Sequence, residues 1–173
     1  GEAEAVVVDA NLHPATIVRA VELTKPSRLC LLPVSRAKAT RLRGVLKCAS
    51  LLITGAPEAE VLTGLPIHGA TDALTMVQRV PVAPGTKVVI TLGGRGMVWR
   101  WDGEASWLDA LPAAVVDPTG AGDAVAAVAV YALVRGVPSA RAAPLALAAA
   151  AMTVSVEGAI HPGLSLDALH ARV

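Results

Sequence analysis

Short apolar runs alternate with mixed polar and apolar segments along the first half of the chain. An apolar run of about four to eight residues that ends in turn residues is typical of a buried strand. Four runs have this form: AVVVDAN (5–11), RLCLLPV (28–34), LLIT (51–54) and KVVITL (87–92).

The segments between these runs predict helices. Proline suits the first turn of a helix, serine and aspartate suit its N-cap, and glycine suits the position after its last turn. The predicted helices run from Pro14 to about Lys25, over 36–47 after a Ser35 cap, from Pro57 to Gly64, and over 73–80 after an Asp72 cap.

The pattern changes after the fourth run. An Asp-Gly pair divides two β-rich pieces of GMVWRWDGEASWLDA (96–110), which predicts a hairpin. The remaining predicted elements are a strand AAVVD (113–117), a helix from Gly122 to about Arg135 that Gly136 and Pro138 end, an Ala-rich helix over about 140–156, and a short helix LDALHARV (166–173) capped by Ser165.

Alternation of strands and helices predicts an α/β fold, a mostly parallel sheet with helices on both faces. Ligands bind such sheets outside the carboxyl ends of the strands. We find no internal repeat or linker in the 173 residues, a length that suits one domain. Phe is absent, so Ala, Val and Leu must build the core.

Composition excludes several classes of protein. A formal charge of +1 without a basic block argues against a nucleic-acid partner. The most apolar stretches, 124–134 and 142–156, are shorter than the roughly 20 residues that span a bilayer. The N-terminus lacks the basic region of a signal peptide. Cys30 and Cys48 suit two buried thiols in a reducing compartment, so we expect an intracellular protein, cytoplasmic or organellar.

The stretch DPTGAGD (117–123) carries the chemistry. It lies between the predicted strand AAVVD and a long helix. Glycines let the backbone N–H groups of Gly120, Ala121 and Gly122 approach an anion at the helix start. A carboxylate at Asp123 could accept the proton of a hydroxyl group that attacks a phosphoryl group.

This stretch has three rival interpretations. The dinucleotide fingerprint needs a third glycine where Val125 stands, and no acid follows between Asp123 and Glu157. The Lys-Ser or Lys-Thr pair of a Walker A loop is absent. A plain strand-to-helix turn explains one glycine and one aspartate, but explains the full pattern less well.

DPTGAGDAVAAV resembles the C-terminal signature of the ribokinase-like (PfkB) carbohydrate kinases. VVITLGGRGMVW and LLITGAPEAEVLTG resemble two further segments of that family, in the same order. VVVDANLHPATI, LLPVSRAKATRLRGVL and VSVEGAIHPGLS are similar to stretches of pseudouridine kinases within it. The resemblance implies a ribokinase-like three-layer sandwich, of which residues 1–173 form the C-terminal portion, with the N-terminal strands and the β lid missing.

The resemblance also implies roles for particular residues. Asp123 corresponds to the catalytic base, and Gly120, Ala121 and Gly122 to the anion hole for the transferred phosphate. The remaining implied contacts are Thr91, Gly93, Asp117 and Thr119 for the nucleotide or the loop around it, and Glu58 for Mg²⁺ through water. For each of these residues, the alternative is an ordinary role in a turn or on a solvated helix face. Lys38, Asn11 and His161 are further candidates for ligand contacts, with the same alternatives.

Three positions depart from the family pattern. Gly55 stands where the family's N-x-x-E element has asparagine, and Leu32 stands where pseudouridine kinases commonly have an acid. Both belong to the metal and phosphate side of the expected site. Val128 replaces a small glycine in the helix after GAGD, which concerns packing.

The resemblance predicts ATP-dependent phosphorylation of the 5′-hydroxyl of a nucleoside or sugar, pseudouridine first, with ATP, Mg²⁺ and a monovalent cation as ligands. The alternative is a truncated or degenerate kinase-fold module that binds nucleotide without efficient catalysis. Expected partners are a small-molecule nucleoside or sugar, a fused or associated pseudouridine-phosphate glycosidase, and a second copy in a homodimer. No membrane or nucleic-acid partner is expected.

Overall fold

The computed structural model describes residues 3–24 and 29–173. The predicted end of the first helix at Lys25 and the first residue of the RLCLLPV strand, Arg28, lie outside these ranges. The described chain divides into two compact units. One contains the residues up to Leu92 with Met97–Trp107, and the other contains Gly93–Gly96 with Leu108–Val173.

A six-stranded sheet organises the first unit, and only Leu108, the last residue of its last strand, is assigned to the second. Its strands lie side by side in chain order, and the first four are parallel. The fifth runs antiparallel to the fourth. The strands are β1 (Val6–Asp9), β2 (Leu29–Leu32), β3 (Leu51–Gly55), β4 (Lys87–Thr91), β5 (Met97–Trp101) and β6 (Glu104–Leu108). The four predicted strands and the α/β class are confirmed, but β1 is only partly buried, since Val7 is exposed and Val8 is its one buried residue.

One face of this sheet packs against the helices of the same unit. Buried Leu31, Leu52 and Ile90 of the sheet share a hydrophobic core with Ile17 and Met76 of the helices. The helices are α1 (Pro14–Leu23), α2 (Arg36–Ala39), α3 (Ala56–Thr63) and α4 (Ala70–Arg79), with short 3₁₀ turns at Thr40–Leu42, Leu46–Cys48 and, in the second unit, Gly93–Arg95.

The predicted hairpin is present between β5 and β6. Asp102 and Gly103 at its turn have φ of 52° and 89°. A two-residue turn with positive φ at both positions matches the right-handed twist of paired strands, and Asp-Gly is a preferred pair for it. The turn chemistry of the sequence therefore sets the register of this hairpin.

The second unit is built around two long helices. α5 (Ala121–Arg135) ends at Gly136, whose left-handed φ of 63° lets its N–H group reach the carbonyl of Ala132. α6 (Ser139–Thr153) and α7 (Leu166–His170) follow. The Ser165 hydroxyl caps α7 as predicted, accepting from the N–H of Ala168 at 3.2 Å. The bounds of α5 and α6 differ from the predicted ones by one to three residues.

The predicted strand AAVVD (113–117) is wrong. These residues form no strand and pair with no other segment of the sheet. The N–H groups of Val116 and Asp117 instead donate to the carbonyl of Val154, at 2.8 and 3.2 Å, in the loop after α6. The side chains of Val115 and Val116 are exposed. The GAGD motif therefore follows an extended loop rather than a strand.

The predicted helix over 36–47 is also wrong in its length. It breaks into the four-residue α2 and two 3₁₀ turns. Ser35 precedes α2, but its side chain makes no capping hydrogen bond. Gly69, not Asp72, is the N-cap of α4, while Asp72 accepts from the N–H of His68 at 3.0 Å.

The two cysteines differ in environment, which corrects the expectation that both are buried. Cys30 is buried on β2, and burial raises the pKa of its thiol to about 11. Cys48 is exposed, and neither forms a disulfide. Among residues 3–24 and 29–173, no helix is both long enough and apolar enough to cross a membrane.

Candidate active site

The start of α5 presents unpaired backbone donors. Gly120 is the N-cap, with a left-handed φ of 82°, and no side chain caps the helix. Ala121 N lies 3.4 Å from the carbonyl of Pro118, and Ala124 donates to Gly120. The N–H groups of Gly122 and Asp123 donate to no described residue. Free N–H groups at the positive end of a 15-residue helix suit an anion.

Gly120 is required at its position for two reasons. Its positive φ disfavours any residue with a Cβ atom. A Cβ built on Gly120 would also overlap the carbonyl oxygen of Ala159. The loop before α5 is therefore held directly against the backbone of the loop after α6, and the turn of the chain is fixed where the free N–H groups begin.

Asp117 joins the same two loops through its carboxylate. Its Oδ1 accepts from the N–H of Thr119 at 2.8 Å, and its Oδ2 accepts from the N–H of Gly158 at 3.1 Å. Hydrogen bonds from the Thr119 side chain and backbone, and from Gly158, lower the pKa of Asp117. Asp117 is therefore ionised at neutral pH, and both it and Thr119 brace the loop.

Asp123 lies in the first turn of α5 and is exposed. Its carboxylate forms no hydrogen bond or ion pair with a described residue, so it is available to a ligand. A carboxylate beside free backbone donors can accept a proton while those donors bind negative charge. The structure thus brings together Asp117, Thr119, Gly120, Ala121, Gly122 and Asp123 on one loop and helix start.

The other predicted site residues lie elsewhere in the chain. Thr91 ends β4 in the first unit, and its hydroxyl lies 3.4 Å from the carbonyl oxygen of Thr54 on the neighbouring strand. Gly93, with φ of 60°, begins the 3₁₀ turn in the second unit. Both residues belong to the chain reversal between β4 and β5, within the stretch VVITLGGRGMVW that resembles a family segment.

Glu58 lies in the first turn of α3, close to Gly55, the N-cap. A Cβ built on Gly55 would lie 2.5 Å from the Glu58 Oε2. The carboxylate therefore fills the space that the family's asparagine would need. Across the described part of the chain, no three His, Cys, Asp or Glu side chains are grouped to hold a metal. The water-mediated contact of Glu58 with Mg²⁺ therefore stays a prediction from the family resemblance; Mg²⁺ keeps several waters and binds nucleotide phosphates.

Sequence reasoning missed Gly158 and Ala159 as parts of this site. Both lie in VSVEGAIHPGLS, a stretch quoted for its resemblance but without any role. The only signal in the sequence for their role was a glycine, Gly158, after an Ala-rich helix. Its hydrogen-bond partner Asp117 is 41 positions away along the chain. His161 has a turn role, because its Nδ1 accepts from the N–H of Gly163 at 3.0 Å. Lys38 and Asn11 are in contact, with Nζ 2.7 Å from Oδ1.

Comparison with known proteins first identifies the class of fold. The structure of Arabidopsis thaliana ribokinase, complexed with ribose and ATP, matches this chain with a TM-score of 0.78 and 26% identity. The match covers 96% of this chain and 56% of the ribokinase chain. The fold is ribokinase-like, and the predicted fold class is confirmed.

The chain belongs to the pfkB family of carbohydrate kinases, whose family model matches residues 2–165. The 2-dehydro-3-deoxygluconokinase of Thermoproteus tenax is 33% identical over 159 residues, 91% of this chain and 43% of that protein. The pseudouridine kinase of Escherichia coli (strain K12) is 27% identical over 165 residues, 95% of this chain and 53% of that protein. The chain spans about half the length of the curated relatives it matches.

Proposed function

We propose that this chain is the nucleotide-binding and catalytic portion of an ATP-dependent kinase that phosphorylates the 5′-hydroxyl of a nucleoside or sugar. One observation carries the proposal. The unpaired N–H groups of Gly122 and Asp123 and the exposed carboxylate of Asp123 share the first turn of α5. Phosphoryl transfer needs this combination of a base and a preorganised anion site.

The proposed reaction follows from these groups. The Asp123 carboxylate accepts the proton of the attacking hydroxyl, whose oxygen forms a bond to the γ-phosphorus of ATP. The bond from that phosphorus to the β–γ bridging oxygen breaks, and ADP leaves. The N–H groups of Gly122 and Asp123 bind the negative charge of the transferred phosphoryl group. Mg²⁺, when bound, would neutralise charge on the nucleotide phosphates. The resemblance to the family supports Glu58 as a residue that would hold Mg²⁺ through water.

We propose pseudouridine as the first substrate to test. The support is the set of three stretches similar to pseudouridine kinases, VVVDANLHPATI, LLPVSRAKATRLRGVL and VSVEGAIHPGLS, together with the match to the E. coli pseudouridine kinase. The greater identity to a 2-dehydro-3-deoxygluconokinase supports a sugar acid as the second candidate. ADP formation with each acceptor, measured on the complete protein, separates the two.

We also propose that residues 1–173 are the C-terminal portion of a larger kinase domain. The free edge of β1 supports it. β1 pairs only with β2 in the described sheet, and Val7 on this edge strand is 50% exposed. Parallel sheets are seldom left open at an apolar edge. Additional strands of the complete domain would pair there.

A nucleotide-binding module without efficient catalysis is the second candidate. The absence of an asparagine side chain at Gly55 favours it, because Mg²⁺ and its waters would be less well fixed there. The monovalent cation, the associated glycosidase and the homodimer stay predictions from the sequence resemblance.

Isothermal titration of the chain with ATP and Mg²⁺ tests the proposed nucleotide site. We expect saturable binding in the millimolar range or tighter, and weaker binding by a Gly120→Ala variant, which displaces the loop. A folded chain that shows no heat and no thermal shift with millimolar ATP or ADP would contradict the proposal.

A further inference from the structure

A lysine without a counter-ion lies beyond the carboxyl ends of β1 and β2. The ammonium of Lys38 donates to Oδ1 of Asn11 at 2.7 Å. No carboxylate of the described residues forms an ion pair with it. An ammonium group has three donors, so two are left for a ligand. A partly buried cation held by a neutral amide keeps its full charge for an incoming anion.

Asp9 fixes the orientation of that amide. Its carboxylate accepts from the backbone N–H of Asn11 at 2.7 Å, and its second oxygen lies 3.4 Å from Nδ2 of Asn11. The amide nitrogen of Asn11 therefore faces Asp9, and the amide oxygen faces Lys38. The negative charge of Asp9 is engaged by Asn11 rather than by the ammonium group of Lys38.

The turn that leads to Lys38 has a strained backbone. Val34 has a φ of 46°, and the N–H of Ser35 donates to the carbonyl of Pro33 at 2.6 Å. A three-residue turn with positive φ at its centre is rare, and a β-branched residue there is a conformational outlier. Such outliers concentrate at ligand-binding sites. The Oγ of Ser35 is buried and has no hydrogen-bond partner.

Strand register places these groups at one edge of the sheet. Asp9 and Leu32, the last residues of β1 and β2, are directly paired in the parallel sheet. Arg41 adds a second cation there, with its NH1 3.1 Å from the carbonyl oxygen of Ala10. No carboxylate of the described residues pairs with Arg41 either. Ligands of open α/β sheets bind outside this edge.

We propose that Lys38, held by Asn11, binds a phosphate group of the substrate or product. The inference rests on the proposed function only for the source of that phosphate, which is either the polyphosphate of the nucleotide or the phosphorylated acceptor. A purely structural bridge between Lys38 and the loop after β1 would need neither the unpaired charge nor the strained turn.

The test measures binding of inorganic tripolyphosphate and of ribose 5-phosphate to the 173-residue chain at one fixed salt concentration. Lys38→Gln removes the charge and keeps most of the side-chain length. Lys47→Gln is the matched control, because Lys47 is exposed on the 3₁₀ turn that precedes β3, at the other end of the strands. A charge-assisted hydrogen bond corresponds to a roughly ten- to hundredfold change in affinity.

We expect Lys38→Gln to weaken binding of at least one probe about tenfold or more, and Lys47→Gln to change neither by more than about twofold. Loss for tripolyphosphate alone indicates the nucleotide, and loss for ribose 5-phosphate alone indicates the acceptor. Asn11→Asp keeps Lys38 but gives it a counter-ion, so it should weaken binding of the same probe. This variant tests the inference if Lys38→Gln does not fold.

Two results would overturn the inference: no binding of either probe by the wild-type chain, or unchanged affinities in the folded variants. Neither of these binding results tests the role of Asp123, which is measured separately by the rate of turnover. The proposed function therefore can stand when this inference fails.

Discussion

Replacing Gly120 by alanine tests whether the geometry of the loop before α5 depends on glycine. An L-residue at the observed φ of 82° costs about 1–2 kcal/mol. The added methyl group would also overlap the carbonyl oxygen of Ala159, so the backbone must move. Such overpacking typically costs about 1–3 kcal/mol. We expect the free energy of unfolding to fall by about 2–4 kcal/mol, after a gain of up to about 1 kcal/mol from the less flexible unfolded chain.

Gly122→Ala is the matched control within the same motif. A Cβ at Gly122 meets no atom within 4 Å, and its φ is not positive. Because alanine is the better helix former, this variant should be neutral or more stable by up to about 1 kcal/mol. Urea unfolding followed by far-UV circular dichroism gives both values. Tryptophan fluorescence is a second probe that reports on the first unit, since Trp99, Trp101 and Trp107 all lie there. Equal stability of the two variants would refute the reasoning.

Three further predictions concern Gly55, Asp117 and Val34. Gly55→Asn should supply the missing N-cap of α3 and raise stability by a few tenths of a kcal/mol, while displacing the Glu58 carboxylate. In the complete enzyme this variant should also lower the Mg²⁺ concentration that gives the half-maximal rate. An unchanged Mg²⁺ titration would count against a role of position 55 in holding the metal. Asp117→Asn should lower the thermal midpoint at neutral pH. Because the folded-state pKa of Asp117 is lowered, its contribution is present above about pH 4 and is lost as the pH falls through the folded value; a wild-type advantage that persists undiminished at pH 2 would argue against this. Val34→Gly should relieve the positive φ and weaken tripolyphosphate binding, and unaltered binding would show that the turn does not position Lys38.

The sequence predicted those structural features whose physical cause lies within a few neighbouring residues. Asp102 and Gly103 specify a hairpin turn through their own backbone preferences, and Gly64 and Gly136 end helices for the same reason. The hydrophobic runs predicted β2 to β4 because strands buried on both faces are continuously apolar. The run of valines predicted β1 by its β-forming residues, although this strand is only partly buried. The GAGD motif similarly indicated a helix start with free N–H groups.

Features that depend on distant partners could not be predicted. AAVVD has the composition of a strand, but Val116 and Asp117 find their acceptor at Val154, in a loop that is close only after folding. The roles of Gly158 and Ala159 depend on the same approach of two loops. Residues 36–47 have the polar and apolar pattern of a helix, but the tertiary structure breaks it into short turns.

The central claim is that Asp123 is the base of a phosphoryl-transfer site. Its most direct test is single-turnover transfer from ATP to the acceptor in the complete enzyme that we propose contains this segment, comparing wild type with Asp123→Asn. The amide keeps the size of the side chain and loses its basicity, so the rate should fall about 10²–10⁴-fold while nucleotide affinity stays nearly unchanged. A transfer rate within about threefold of wild type would contradict the account, since general-base loss has a far larger effect.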